Sequence, residues 1–183
     1  MSLHADALDV LTHWRAPDPG HDQEQDRLRA SYVEHLRGHD DGLWRSCFPA
    51  HLTAGALVIS HDHRQVLLNL HGKAGKWFHF GGHLEPGDVT LASAALREAA
   101  EESGLSGLVV RAEPLHLSQH PVEFCDPRGT VQHLDVRFLA ETGADVEPVV
   151  SEESIDVRWW PVDDLPTDEP DMVELVELAL ARA

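Results

Sequence analysis

The stretch from Gly81 to Leu105 constrains this chain more than any other. Residues 91–103, LASAALREAAEES, are rich in Ala, Leu and Glu and predict a helix. Gly104 follows its last turn, where a left-handed closing residue belongs. On that helix Glu98, Glu101 and Glu102 stand at i, i+3 and i+4 and share one face. Carboxylates about 4–6 Å apart repel one another unless a cation lies among them. A hard divalent ion with oxygen ligands, Mg²⁺ or Mn²⁺, resolves the repulsion. Arg97 is adjacent to Glu98 and one turn before Glu101, placed to orient a carboxylate by a charge-assisted hydrogen bond. Upstream, GGHLEPGD (81–88) reads as a loop. Gly81 and Gly82 let the backbone approach a ligand or metal closely, Pro86-Gly87 turns, and Asp88 adds a carboxylate near the helix start. No Lys follows the glycines and the helix face is negative, so phosphate would have to arrive with a metal.

The bulk charge points the same way. Against 14 Lys+Arg stand 32 Asp+Glu, a net charge of −18 with His neutral. Such a surface repels nucleic acid unless a cation intervenes. The 183 residues suit one domain of ordinary size with a terminal extension. Cys47 and Cys125 cannot form a disulfide framework. One bridge would be possible, but two reduced thiols in a cytoplasmic protein is the expectation. No apolar run reaches the roughly 18 residues of a membrane span. The first ten residues lack the basic and apolar regions of a signal peptide.

Along the chain, Leu8, Leu11 and Trp14, then Leu28, Tyr32 and Leu36, recur at helical spacing around a PDPG break (17–20). Residues 1–48 therefore read as a helical extension of two or three short helices. Packing onto the main domain is one use for it; a homodimer contact or a substrate lid is the other. Residues 53–60 and 65–71 read as a hairpin about HDHR, and 77–80 as a short strand. Residues 108–120 and 131–141 read as long strands around a CDPRGT turn, with another strand at 155–160. Met172, Leu175, Val176 and Ala179 mark one face of a final helix over 171–182. Strands mixed with well-separated helices predict an α/β sandwich.

Residues 82–105 resemble the Nudix box, G-x5-E-x7-R-E-U-x-E-E-x-G-U with U aliphatic. Here it reads Gly82, Asp88, Arg97-Glu98-Ala99, Glu101-Glu102, Gly104-Leu105. Two departures matter: Asp88 replaces the first Glu, and the interval to Arg97 is one residue longer. Aligning the helix from its C-terminal end puts the extra residue at 88–90 and keeps the glutamate register. The resemblance implies a Nudix-like α/β/α sandwich with a mixed β-sheet over 49–183. It implies a pyrophosphohydrolase, in which water attacks one phosphorus of a nucleoside diphosphate linked to another moiety. Glu98, Glu101, Glu102 and the Gly82 carbonyl become the metal ligands, and Arg97 the orienting residue. The base is Glu102, with Glu153 as rival.

Recognition of the small-molecule substrate falls outside the box. Trp77 is a stacking candidate, and Lys73 and Lys76 are candidate phosphate contacts. His83 is a candidate for phosphate contact or proton relay. Arg137 either reaches the ligand or is buried with Asp135. Among the 14 histidines, His116 and His120 alternate with Ser118 near Cys125 and His133, but their spacing fits no standard zinc pattern. A ligand-sensing module is the competing class, although the box keeps all three glutamates. A diphosphate isomerase of the same superfamily needs a Cys in the loop before the box, and Gly81-Gly82-His83 has none.

Overall fold

Strand β1 (Ala50–Ile59) is apolar and almost wholly buried, so both of its faces must be covered. Leu52, Ala54, Ala56 and Val58 face one core with Leu91, Ala94, Ala95 and Ala99 of the box helix. Leu57 and Ile59 face a second core with Met172, Leu175, Val176 and Ala179 of the last helix. Side chains alternate across a strand, so one strand serves two helical layers. This computed structural model describes residues 2–16, 22–72, 74–143, 146–150 and 154–183.

The elements run α1 (Leu3–His13), α2 (Asp22–Gly38), β1, β2 (Gln65–His71), β3 (Trp77–Phe78) and β4 (Phe80–His83). They continue through α3 (Leu91–Ser103), β5 (Val109–Val110), β6 (His116–Asp126), β7 (Gly129–Glu141), β8 (Ser154–Pro161) and α4 (Pro170–Arg182). The sheet is mixed. β1 runs parallel to β7 from Ala50–Gln132 to Ile59–Glu141 and antiparallel to β2 and β4. β2 also pairs β3 and β8, and β7 also pairs β5 and β6, all antiparallel. The α/β/α sandwich with a helical N-terminal segment stands as expected.

Several boundaries differ from the pattern-based expectation. Gly81–His83 is strand rather than loop, because it pairs with Thr53–Gly55 of β1. The long strand expected over 108–120 is two, β5 and β6, separated by residues 111–115. The turn between β6 and β7 tightens to Pro127-Arg128. The PDPG break lies outside the described residues.

The box helix is closed at both ends by local chemistry. Thr90 and Ser93 form a reciprocal capping box at its start. Gly104 ends it at φ 68°, where a Cβ would also stand 2.7 Å from Val149 Cβ. A third tie comes from α1: Asp6 Oδ2 accepts the Leu91 backbone N–H at 2.9 Å. The rest of the N-terminal segment is equally engaged. Leu3, Ala7, Leu11, Trp14, Leu28, Tyr32 and Leu36 belong to the same core as β1 and α3. Trp14 Nε1 donates to Pro114 O at 2.6 Å, Tyr32 Oη to Ser118 O at 2.7 Å, and Gln25 exchanges two hydrogen bonds with Leu117.

A buried polar network joins the sheet to α4. Arg137 donates through Nε to Asp135 Oδ2 at 2.8 Å and pairs with Asp171 at 2.7 Å. Asp135 also accepts from Thr53 and lies 3.3 Å from His79 Nε2. Burial alone would raise the Asp135 carboxyl, but the His79 contact and the Arg137 charge outweigh it and hold the group well below the usual range. His116 sits among Arg137, Asp171, Asp135, His79 and Glu174. Burial first, and the Arg137 charge second, push its pKa from 6.5 down to about 4.

Two outcomes follow. Leu11 is fully buried, so Leu11→Ala should cost about 2–5 kcal/mol in urea unfolding; a loss near zero would detach the N-terminal helices from the cooperative core. For His116, the unfolded chain takes up a proton near pH 6.5 and the folded chain only near 4. Stability is therefore intact above pH 6.5 and falls as pH drops towards 4, by on the order of 2–3 kcal/mol from this group. His116→Gln should flatten that part of the stability–pH curve, and an unchanged slope would exonerate the residue.

Candidate active site

The site forms where β4 passes under α3. Gly82 supplies bare backbone there: a Cβ on it would lie 2.7 Å from Glu98 Oε2, so only glycine seats that carboxylate against the strand. Glu102, one turn on, is buried. Its Oε2 accepts the Gly81 N–H at 3.0 Å and its Oε1 accepts from Asn69 Nδ2 at 3.3 Å. Glu101 turns outward, with 62% of its side chain exposed, and lies 3.3 Å from Arg97 Nη1. Glu98 and Glu102 thus form a platform with Gly82 at the β4–α3 contact, and Glu101 stands at its exposed edge. Their donor set is all oxygen, of the hard type that suits Mg²⁺ or Mn²⁺.

Arg97 fixes this platform. Its Nε and Nη2 donate to the two Asp88 oxygens, each at 3.0 Å. Nη1 donates to Glu98 Oε1 at 2.8 Å and Glu101 Oε2 at 3.3 Å, and Nη2 also to His83 O at 3.0 Å. The Asp88 hydrogen bonds, opposed by burial and reinforced by Glu98, hold the guanidinium well above its ordinary pKa. Asp88 Oδ2 also accepts the Glu85 N–H at 2.8 Å. Asp88 is therefore the anchor of Arg97 and stands apart from the carboxylate face. The helix begins at Leu91, after Asp88 and the extra residue.

The other sequence-selected residues are dispersed. Lys73 and Glu153 lie outside the described residues. Lys76 pairs with Glu169 at the surface. Trp77 packs edge-on against Trp160, with ring centroids 5.2 Å apart. Arg137 is buried with Asp135 and Asp171, the second of the two uses foreseen for it. The His83 carbonyl serves Arg97, but its ring joins His51, Cys125 and His133. Burial and the neighbouring His51 push the His83 pKa down to about 4, so the ring is neutral at pH 7. Asn69 was not among the sequence candidates. Its signal was a lone polar residue inside an apolar strand, which a buried amide occupies only with a partner.

Gly82→Ala would push the Glu98 carboxylate, a flexible side-chain end, off the strand. Divalent-metal affinity should fall about 10–100-fold, the range seen when a metal ligand loses its support. The melting temperature should change little. Metal titration by calorimetry checks this, and unchanged affinity would remove Gly82 from the site.

Comparison with known proteins gives the family and matches the fold. The family model described as NUDIX domain matches residues 49–179. A NUDIX-family hydrolase from Clostridium perfringens has a similar structure, with TM-score 0.58 and 23% identity over 72% of this chain and 97% of that one. An Ap4A hydrolase from C. elegans is similar at TM-score 0.57 and 20% identity, over 72% and 96% of the two chains. The NUDIX domain of Shewanella oneidensis NrtR, complexed with ADP ribose, gives 0.54 and 24% over 82% and 97%. Comparison with curated proteins gave no match. Among the described residues no helix is long and apolar enough to cross a membrane. The matched model spans most of the chain and covers the glycine, arginine and glutamates of the platform, so this chain belongs to the NUDIX domain family.

Proposed function

We propose that the chain is a divalent-metal-dependent hydrolase that cleaves the pyrophosphate linkage of a nucleoside diphosphate derivative. Water attacks one phosphorus and a phosphate-bearing group leaves. The observation that carries this reading is the Glu98 carboxylate held between Gly82 and Arg97, with Glu101 and Glu102 on the same helix face. Gly82, Glu98, Glu101 and Glu102 would hold Mg²⁺ or Mn²⁺, which lowers the pKa of bound water and neutralises phosphate charge.

The chain's own part is orientation and proton removal. Arg97 fixes Glu98 and Glu101, and Asp88 fixes Arg97. Gly81 N–H and Asn69 aim the Glu102 carboxylate, which we assign as the base that takes a proton from the attacking water. Glu153 is the rival base. Lys73 is the proposed phosphate contact, and Lys76 joins it only by releasing Glu169. ADP ribose and Ap4A, named for two structural neighbours, are both nucleosides joined through phosphoanhydrides, which supports the substrate class. The two free thiols fit a cytoplasmic setting. A second copy of the chain would meet the outer face of α1 and α2, because their apolar face is buried within this chain.

A panel of nucleoside diphosphate derivatives with Mg²⁺ or Mn²⁺, products identified by mass, tests the proposal. Cleavage at the pyrophosphate is expected. Glu102→Gln should lower kcat by about 10²–10⁴-fold with KM little changed, as for loss of a general base. No metal-dependent turnover across the panel would leave a ligand-sensing module as the reading.

A further inference from the structure

We propose that His51, His83, Cys125 and His133 form a structural zinc site behind the active site. One ligand atom from each lies within 4.8 Å of the other three. Cys125 Sγ stands 3.3 Å from His83 Nε2, 3.3 Å from His133 Nε2 and 3.7 Å from His51 Nε2. Tetrahedral zinc, with Zn–N near 2.0–2.1 Å and Zn–S near 2.3 Å, separates nitrogen from sulfur by about 3.6 Å. The observed spacings bracket that edge. The three rings are also nearly equidistant, with centroids 5.1 Å (His51–His83), 5.0 Å (His51–His133) and 5.2 Å (His83–His133) apart. One thiolate capping a triangle of imidazoles is the geometry of a closed four-coordinate site.

Sheet register builds this cluster. His51 and His133 are direct partners in the parallel β1–β7 ladder. His83 pairs with Thr53, two residues along from His51 and so on the same face. The β6–β7 register shifts between Val122 and Asp126, and that irregularity brings Cys125 in. The outer ring contact is also right: His51 Nδ1 lies 3.1 Å from Cys47 O, which fixes the tautomer that turns the Nε2 lone pair to the centre. Thiolate with imidazole suits zinc and is foreign to Mg²⁺ or Mn²⁺. With four protein ligands, no position is left for substrate or water. The simpler alternative is a thiol-centred hydrogen-bond cluster without metal.

The site differs from the histidine grouping visible in sequence. It shares Cys125 and His133 with it, but His116 lies in the Arg137 network, and His120 touches the group only through the His133 ring. Its consequence is mechanical. Gly82 and His83 are consecutive on β4 and point to opposite faces, Gly82 to Glu98 and His83 to the cluster. Zinc would clamp β1, β4, β6 and β7 at the residue next to the Glu98 seat.

Tag-free protein expressed with added zinc and dialysed against metal-free buffer should retain about one zinc per chain. Replacement by Co²⁺ should give tetrahedral d–d bands and a thiolate-to-cobalt charge-transfer band. Cys125→Ser should lose that band, and Cys47→Ser should keep it. Glu98→Gln should keep the zinc, which separates this site from the proposed hydrolytic one. Retained zinc well below one per chain, or a cobalt spectrum without thiolate character, would overturn the proposal in favour of the hydrogen-bond cluster. If Cys125→Ser does not fold, the wild-type stoichiometry and cobalt spectrum decide.

Discussion

The Arg97 guanidinium ties three pieces of the site together. It joins the loop through Asp88, the strand through the His83 carbonyl and the helix through Glu98 and Glu101. A planar fork can serve all of these at once because its donors point in fixed directions. Lysine could not, having a single rotatable charge. The carboxylate platform exists because this cation is spent on neighbours within the fold, which leaves the acidic face to be completed from outside.

The second determinant is the parallel β1–β7 ladder. It places His51 beside His133 and Thr53 beside Asp135, and it buries both strands between two helical layers. β4 then docks on β1 so that successive residues look in opposite directions, Gly82 towards the box helix and His83 towards the thiol. Two chemically distinct clusters, one of hard oxygens and one of imidazoles and sulfur, are therefore backed onto one strand. The two are one peptide unit apart on that strand, at Gly82 and His83.

The box helix was legible because its information is local. Glutamates at i, i+3 and i+4, a glycine after the last turn and good helix formers between them are short-range signals, and Leu91–Ser103 follows them. The hairpin strand Gln65–His71 was equally readable from its apolar run. Gly81–His83 was not: a Gly-Gly dipeptide reads as loop, and only pairing with Thr53–Gly55 makes it a strand. The surroundings of the substrate-binding candidates were hidden for the same reason. Lys76 and Trp77 sit near the box in sequence, but cross-strand and helix contacts turn them to Glu169 and Trp160.

By itself, the sequence determined the acidic helix face, the layered α/β class and the family to which the chain belongs. The helix face depends on residues within one or two turns of one another, the class on the succession of strand and helix patterns, and the family on the spaced motif from Gly82 to Leu105. The tertiary structure alone decided that Asp88 anchors Arg97, that Asn69 aims Glu102, that Arg137 is buried between Asp135 and Asp171, and that four residues from 51 to 133 converge on one point. Asn69–Glu102, Arg137–Asp171 and the four-residue cluster join elements far apart in sequence, at separations that no periodic pattern encodes. The partners in the cluster are chosen by strand register, which is fixed only when both faces of β1 are buried together.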